Sequence, residues 1–315
     1  MEKTAGRRTF RAPATPRGKL REIRRAGVSY LMLAPFLVFY ALTVLIPIAL
    51  VVVLSFTDYN MFQAPGFTGL SNYLNLFVSD TVFLKALTNT VYFALITGPV
   101  SFFLCFIIAW IINDFPPKVR AVVTLVFYAP SISGTAYTIW QFIFSPDSYG
   151  IANGLLMRLN LIREPLVWFQ DPGMSLNLLI LVQLWLSLGV GFLAFIAGLQ
   201  NVDAELYEAG AIDGIRSRWQ ELWYITLPQM RPQLLIGAVL SISGSFAIGA
   251  QPAALTGMPS TDYSTHTLVL HIQDYGNLRL EMGYASAVAV VLFAIMVVSW
   301  VVINKAINTV APGEG

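Results

Sequence analysis

Charge is what this chain of 315 residues has least of. Asp, Glu, Lys and Arg make up 11% of it and apolar residues 56%, against about 25% and 45–50% in soluble proteins. Six stretches carry no charged residue: 26–57, 86–113, 121–146, 172–202, 232–261 and 282–304. Each exceeds the ~20 residues a helix needs to cross a bilayer, so a soluble globular fold is excluded. Cysteine is nearly missing as well. The lone Cys105 sits mid-span, which rules out a disulfide framework and leaves a packed apolar thiol. No G-x-x-x-x-G-K-[ST] run exists to cradle nucleotide phosphates and no G-x-S-x-G elbow to present a nucleophile. No catalytic residue is assigned. The two histidines, His266 and His271, lie five apart without a Cys or a close carboxylate pair, so no metal site is expected.

The missing intramembrane charge also argues against two activities. An ion-coupled secondary carrier usually keeps a buried ionisable group or an inverted repeat, and a membrane enzyme needs His, Asp or Glu at membrane depth. No period of 20–50 residues suggests a solenoid.

What is present reads as an all-α integral membrane protein with six spans, at 28–56, 86–112, 121–145, 175–200, 232–256 and 282–306. The charge-free run 59–79 is not counted: Asn60, Gln63, Pro65, Gly66, Gly69, Ser71, Asn72 and Asn75 make it a loop. A basic tail, 1–27, precedes one membrane domain, 28–310. The apolar run 28–54 is too long for a cleavable signal and reads as an uncleaved first helix. With six spans, the tail, the turn 113–120, the segment 201–231 and Lys305 share one side. Only Lys85, Arg158, Arg163 and Arg279 of the 19 basic residues fall on the other. Positive charge stays inside, so both termini are expected in the cytoplasm. Segments 57–85, 146–174 and 257–281 then lie outside, with Tyr263, Tyr275 and Tyr284 as interface-belt aromatics. A lesser reading makes 57–85 and 257–281 a landing surface for an external protein.

The segment 201–231 is a polar island between two charge-free stretches. Asp203 suits an N-cap and Glu205 the first turn behind it. Gly214 suits the residue after a helix end, Ser217 and Gln220 have capping-box spacing, and Pro228 marks the end of a second short helix. Ala209 and Gly210 remove bulk, letting another surface approach the backbone.

The run Glu208-Ala209-Gly210, then Gly214, then Ile225-Thr226-Leu227-Pro228 resembles the "EAA" loop of ABC importer permeases. Gly210 stands where the family usually has a second Ala. Arg231-Pro232, Met282-Gly283-Tyr284-Ala285-Ser286-Ala287, Leu54-Ser55-Phe56-Thr57-Asp58-Tyr59 and Gly69-Leu70-Ser71-Asn72-Tyr73 are similar to the carbohydrate-uptake branch, the maltose- and glycerol-phosphate-type subunits. The resemblance implies a type I importer permease in a bacterial or archaeal cell membrane. It implies a second, similar permease as a heterodimer partner, two cytoplasmic ATPase subunits that use ATP, and an extracytoplasmic solute-binding protein. No cofactor would be bound by this chain, and no nucleic acid. Glu208, Ala209, Gly210, Asp213, Gly214, Leu227 and Pro228 would form the ATPase-coupling contact. Glycerol phosphate, polyamine or peptide is the alternative cargo within the class.

A sugar route needs amides, hydroxyls and aromatic faces without net charge. Span four offers Asn177, Gln183 and Trp185; span five offers Ser241, Ser243, Ser245 and Gln251. For any one of them, helix packing is the competing role.

Overall fold

The computed structural model describes residues 27–310, with side chains over 31–305. The basic tail, Gly27 excepted, lies outside the described residues. The chain divides into two units after Val53. The first holds helix α1, which runs as Gly27–Tyr40, a wide π turn at Ala41–Leu45 and then Ile46–Leu54. Thr43 donates its hydroxyl back to the Phe39 carbonyl at 2.7 Å in that turn, a bond that competes with the regular ladder.

Among the described residues of the second unit the regular elements are all helices, beside an isolated bridge between Thr57 and Phe67. After α2 (Ser71–Leu74) comes the 33-residue α3 (Thr81–Asn113). Then follow α4 (Pro117–Ile132), α5 (Tyr137–Ile143), α6 (Ile151–Arg158), α7 (Ser175–Leu186) and α8 (Val190–Gln200). The island contributes α9 (Ala204–Ile212) and α10 (Arg218–Glu221), the latter continued by a π turn at Leu222–Thr226 and by Leu227–Gln229. The chain closes with α11 (Arg231–Phe246), α12 (Ala250–Thr256), α13 (Leu268–Gln273) and α14 (Met282–Val310).

Among the described residues, four helices are long and apolar enough to cross a membrane: Leu31–Leu54, Thr81–Asn113, Ser175–Gln200 and Met282–Lys305. The expected third and fifth spans are instead bent pairs. α4 and α5 meet at 85°, and α11 and α12 at 41°; the total is six if each pair is one span. Pro130 and Gly134 flank the first bend. At the second, Pro252 has no N–H to offer the carbonyl four residues back, Ile248. That carbonyl accepts from the Thr267 hydroxyl at 2.8 Å instead. A broken helix at membrane depth survives only where something else satisfies its backbone, and here a neighbouring segment does so.

Span two starts earlier than the sequence suggests. Lys85 ends the charge-free window, but the helix begins at Thr81 because Asp80 caps it, accepting from the Phe83 amide at 2.7 Å. Lys85 reaches away to the carbonyl of Asp262.

The core sits where α3, α8 and α11 cross. Phe195 is fully buried there and meets Phe102 and Phe106 edge-on at 5.5 and 5.7 Å, the geometry that ring quadrupoles favour. Gly237 gives the ring its room: a Cβ there would fall 2.3 Å from Phe195 Cζ.

Three separated runs of the sequence come together in a second node. The Asn72 side-chain amide donates to the carbonyls of Ser55 and Thr57, both at 2.9 Å, and Tyr73 donates to the Ser55 hydroxyl at 2.8 Å. Gly283 closes the node by donating its amide to the Tyr59 carbonyl at 2.8 Å.

Segment 257–281, expected to connect spans five and six outside the membrane, packs into the helices rather than lying over them. Thr265, His266, Thr267, Leu268, Leu270 and His271 are buried. Asn89 on α3 holds the carbonyls of Tyr263 and His266 at 3.0 Å, and the Thr90 hydroxyl accepts from the Leu268 amide at 2.9 Å. These polar partners lie more than 170 positions away in sequence, beyond the reach of local patterning.

Candidate functional site

The island is a built object. Asp203 accepts from the Glu205 amide at 3.1 Å, and Ser217 and Gln220 complete the reciprocal capping box. Gly214 adopts φ +94°, which a side chain tolerates poorly. Around it, Ile215 donates to the Gly210 carbonyl at 2.9 Å and Gly214 to Ala211 at 3.3 Å, the paired bonds of a Schellman end.

The two helices lock face to face. Tyr207 and Thr226 share a hydroxyl bond of 2.9 Å, and Leu222, Ile225 and Thr226 are buried. Gly210 is buried too: a Cβ would meet Ile225 Cδ1 at 2.7 Å and Ile215 Cδ1 at 3.1 Å. Its missing bulk is therefore filled from within the island, not left open for another surface. Tyr207 and Gly210 mark the inner face, so Glu205, Glu208, Ala209 and Ile212 form the outer one by helical spacing. All four are exposed, Ile212 to 87%. Asp213, Gly214 and Pro228 are exposed and Leu227 half-buried. Pro228 does not end the second helix as expected. The wide turn at Leu222–Thr226 precedes it, helix continues to Gln229, and the break falls at Met230. A wide turn relieves the clash between a proline ring and the carbonyl four residues back.

Farther along α3 a cavity of about 240 Å³ opens between α3, the α7–α8 break and α11. Gln183, Ser241 and Ser245 line it together with Thr97, Ser101, Cys105, Ser187 and Gly244. Thr97, Ser187 and Ser245 each donate to a carbonyl of their own helix, at 2.8, 2.7 and 2.9 Å. Their protons are thus engaged and their oxygens keep only acceptor capacity, a lining suited to a ligand rich in O–H donors. No charged side chain lines it.

The other expected pathway residues are elsewhere. Asn177 accepts from the Tyr92 hydroxyl at 3.4 Å, and Trp185 packs edge-on against Trp140 at 5.6 Å. Ser243 is half-buried outside the cavity lining. Gln251 is buried and ties α12 to α7 by donating to the Leu179 carbonyl at 3.0 Å. The missed lining residues had a signal. Thr97, Ser101 and Cys105 recur every four residues, a polar stripe on one face of an apolar helix.

A buried polar chain sits at the opposite end of α3 from the island, about 50 Å away at 1.5 Å per residue. Asp80 Oδ2 faces His271 Nε2 at 3.1 Å and accepts from the hydroxyls of Tyr284 at 2.7 Å and Tyr275 at 3.4 Å. His271 Nδ1 lies 3.3 Å from His266 Nε2. With the His271 proton on Nε2, His266 must donate, which leaves its Nδ1 a buried acceptor without a partner. The expected isolation of these histidines is thus corrected: a carboxylate 191 positions from His271 completes the chain. The Tyr275 and Tyr284 rings lie against each other, tilted by 40° with centroids 4.4 Å apart, and both hydroxyls converge on Asp80. Among the described residues no group of three or more His, Cys, Asp or Glu could hold a metal ion.

Burial, with His271 alongside, pushes His266 down to about 4, and burial lowers His271 as well. Burial alone would raise the Asp80 carboxyl; the Tyr284 hydroxyl, the Phe83 amide and His271 hold it below the usual range. A histidine depressed in the folded state adds stability above its unfolded pKa of about 6.5, lost as pH falls toward the folded value. Going from pH 8 to pH 5, His266 alone removes about 2 kcal/mol. Thermal unfolding of the detergent-extracted protein should show that loss. His266→Gln, which keeps a donor but does not titrate, should flatten it.

The chain is similar over most of its length to curated proteins. It is 31% identical over 285 residues to the probable ABC transporter permease protein YesP of Bacillus subtilis, covering 88% of this chain and 90% of that one. The chain belongs to the ABC transporter permease family. It is 32% identical to the arabinooligosaccharides transport system permease protein AraP of Bacillus subtilis, covering 87% of this permease and 86% of AraP. To the lactose transport system permease protein LacF of Rhizobium radiobacter it is 30% identical, covering 85% and 90%. No protein-family model matches it. Among solved structures, a chain of the bacterial alginate ABC transporter in complex with alginate pentasaccharide-bound periplasmic protein superposes with a TM-score of 0.75 at 19% identity. That match covers 94% of this permease and 99% of that chain, which places the fold.

Proposed function

We propose that this permease is one membrane half of a binding-protein-dependent importer that moves an uncharged saccharide. The cavity carries the reading: hydroxyl and amide groups line it, and no charged side chain does. A phosphate or ammonium cargo would there lose its hydration without a counter-charge, which costs far more than a hydrogen bond returns. A sugar needs only hydrogen-bond partners, which these hydroxyls and the Gln183 amide can supply. The relatives named for arabinooligosaccharides and lactose support the same class.

In this reading a second permease completes the pathway, two cytoplasmic ATPases grip the islands and an external binding protein delivers the sugar. The basic skew of the sequence supports a cytoplasmic island. The chain itself hydrolyses nothing.

Reconstitution tests it. Proteoliposomes holding both permeases and the ATPases, with the binding protein outside, should accumulate a neutral oligosaccharide only when ATP is enclosed. The matching uronate should be taken up at least tenfold more slowly. Uptake by this chain alone, driven by an ion gradient, would overturn the proposal in favour of a carrier.

A further inference from the structure

Three walls bound the cavity: α3, the α7–α8 pair, and α11. The island is joined through the peptide chain to two of them, following α8 and preceding α11. α3 has no such link, since more than eighty residues separate its end from the island. The structure supplies one by side chains. The Arg218 guanidinium lies over the Trp110 ring, 4.5 Å from its centroid, and also pairs with Asp114. Trp219 packs on Trp110 at 5.2 Å between centroids. Both Arg218 and Trp219 stand at the start of α10, fixed there by the Ser217–Gln220 capping box.

We infer that Arg218 and Trp219 clamp the island to the end of α3, so that the island and all three cavity walls move as one unit. The inference rests on the reading of the island as the ATPase contact. An exposed ion pair by itself contributes little, and both partners are about half exposed. The stiffness comes from the combination. A planar guanidinium can stack on an indole and pair with a carboxylate at once, which a lysine ammonium cannot do in the same geometry. The far side of this helix end is braced as well: Arg120 of α4 donates to the carbonyl and the side chain of Asn113, both at 3.3 Å. Trp110 lies five residues from Cys105 on the cavity wall, about 7.5 Å along the axis. Arg218 is thus a positioning residue, acting on the pathway through α3.

The test uses the complete reconstituted importer and reads sugar transported per ATP hydrolysed. Arg218→Ala should keep ATP hydrolysis within about twofold while lowering that ratio at least fivefold. Arg218→Lys should fall between, and Asp114→Arg with Arg218→Asp should recover part of the ratio. Separately, Trp110→Cys with Trp219→Cys joined by a short bis-thiosulfonate bridge should transport at no less than half its unbridged rate, because a rigid unit loses nothing by being tied. An unchanged ratio in Arg218→Ala overturns the clamp, and so does a bridge that stops transport, which means the contact must open. If the unsubstituted complex shows no ATP-dependent uptake, it is the importer reading that fails.

Discussion

Gly283→Val should remove the protein from the membrane fraction almost completely, and Gly283→Ala should reduce it severalfold. The site differs from Gly210 and Gly237 in what the new atom would meet. A Cβ at 283 would fall 2.0 Å from the Thr57 carbonyl oxygen and 3.1 Å from the Tyr59 amide nitrogen, both backbone. At Gly210 the obstacles are the tips of isoleucine side chains, and at Gly237 a phenylalanine ring. Side chains can turn aside for the ~1–3 kcal/mol that overpacking usually costs. The backbone at 57–59 cannot, because Asn72 holds the Thr57 carbonyl and Gly283 itself holds that of Tyr59. Moving it breaks three chain segments apart at once. Gly134→Ala, where nothing lies within 4 Å, is the matched control and should leave abundance unchanged. The amount of monodisperse protein recovered in detergent decides the matter, and Gly283→Ala at full abundance refutes the role given to this node.

That node shows where the sequence was legible and where it was not. The runs around Ser55, Asn72 and Gly283 stand out singly as motifs, yet nothing local says that they touch. Span positions follow from missing charge because the bilayer excludes it. The caps at Asp203, Ser217 and Gly214 follow from backbone chemistry within four residues. What stayed hidden depends on distant partners. The bend at Pro252 interrupts a span read as continuous, and nothing local announces the Thr267 hydroxyl that makes it tolerable. His266 and His271 looked idle until Asp80 arrived from the start of α3. The same limit governs the pathway. Residue type picks out Gln183, Ser241 and Ser245 together with Asn177, Trp185, Ser243 and Gln251; position along the helix, the break before α12 and the face each side chain occupies separate the two sets.

The second large effect belongs to the outer face of α9. Glu208→Lys and Ala209→Trp should each cut ATP-driven uptake more than tenfold while the amount and thermal stability of the chain stay within error. Both positions are exposed on the side opposite Tyr207 and Gly210, so neither substitution disturbs the lock with Thr226 and Ile225. Exposed substitutions away from caps and cores usually change stability by less than about 0.5 kcal/mol. A docked helix is different, because a bulky ring at Ala209 holds the partner off the backbone and a reversed charge at 208 meets whatever the carboxylate faced. Gly210→Val supplies the contrast. It presses on Ile225 and Ile215 from inside and should lower stability by about 1–3 kcal/mol, with uptake falling only as far as folded protein does. Uptake per folded molecule separates the two faces: low for 208 and 209, near normal for 210. Were the order reversed, the island would be a packing element whose inner seam matters, and the proposed docking role of its outer face would fail.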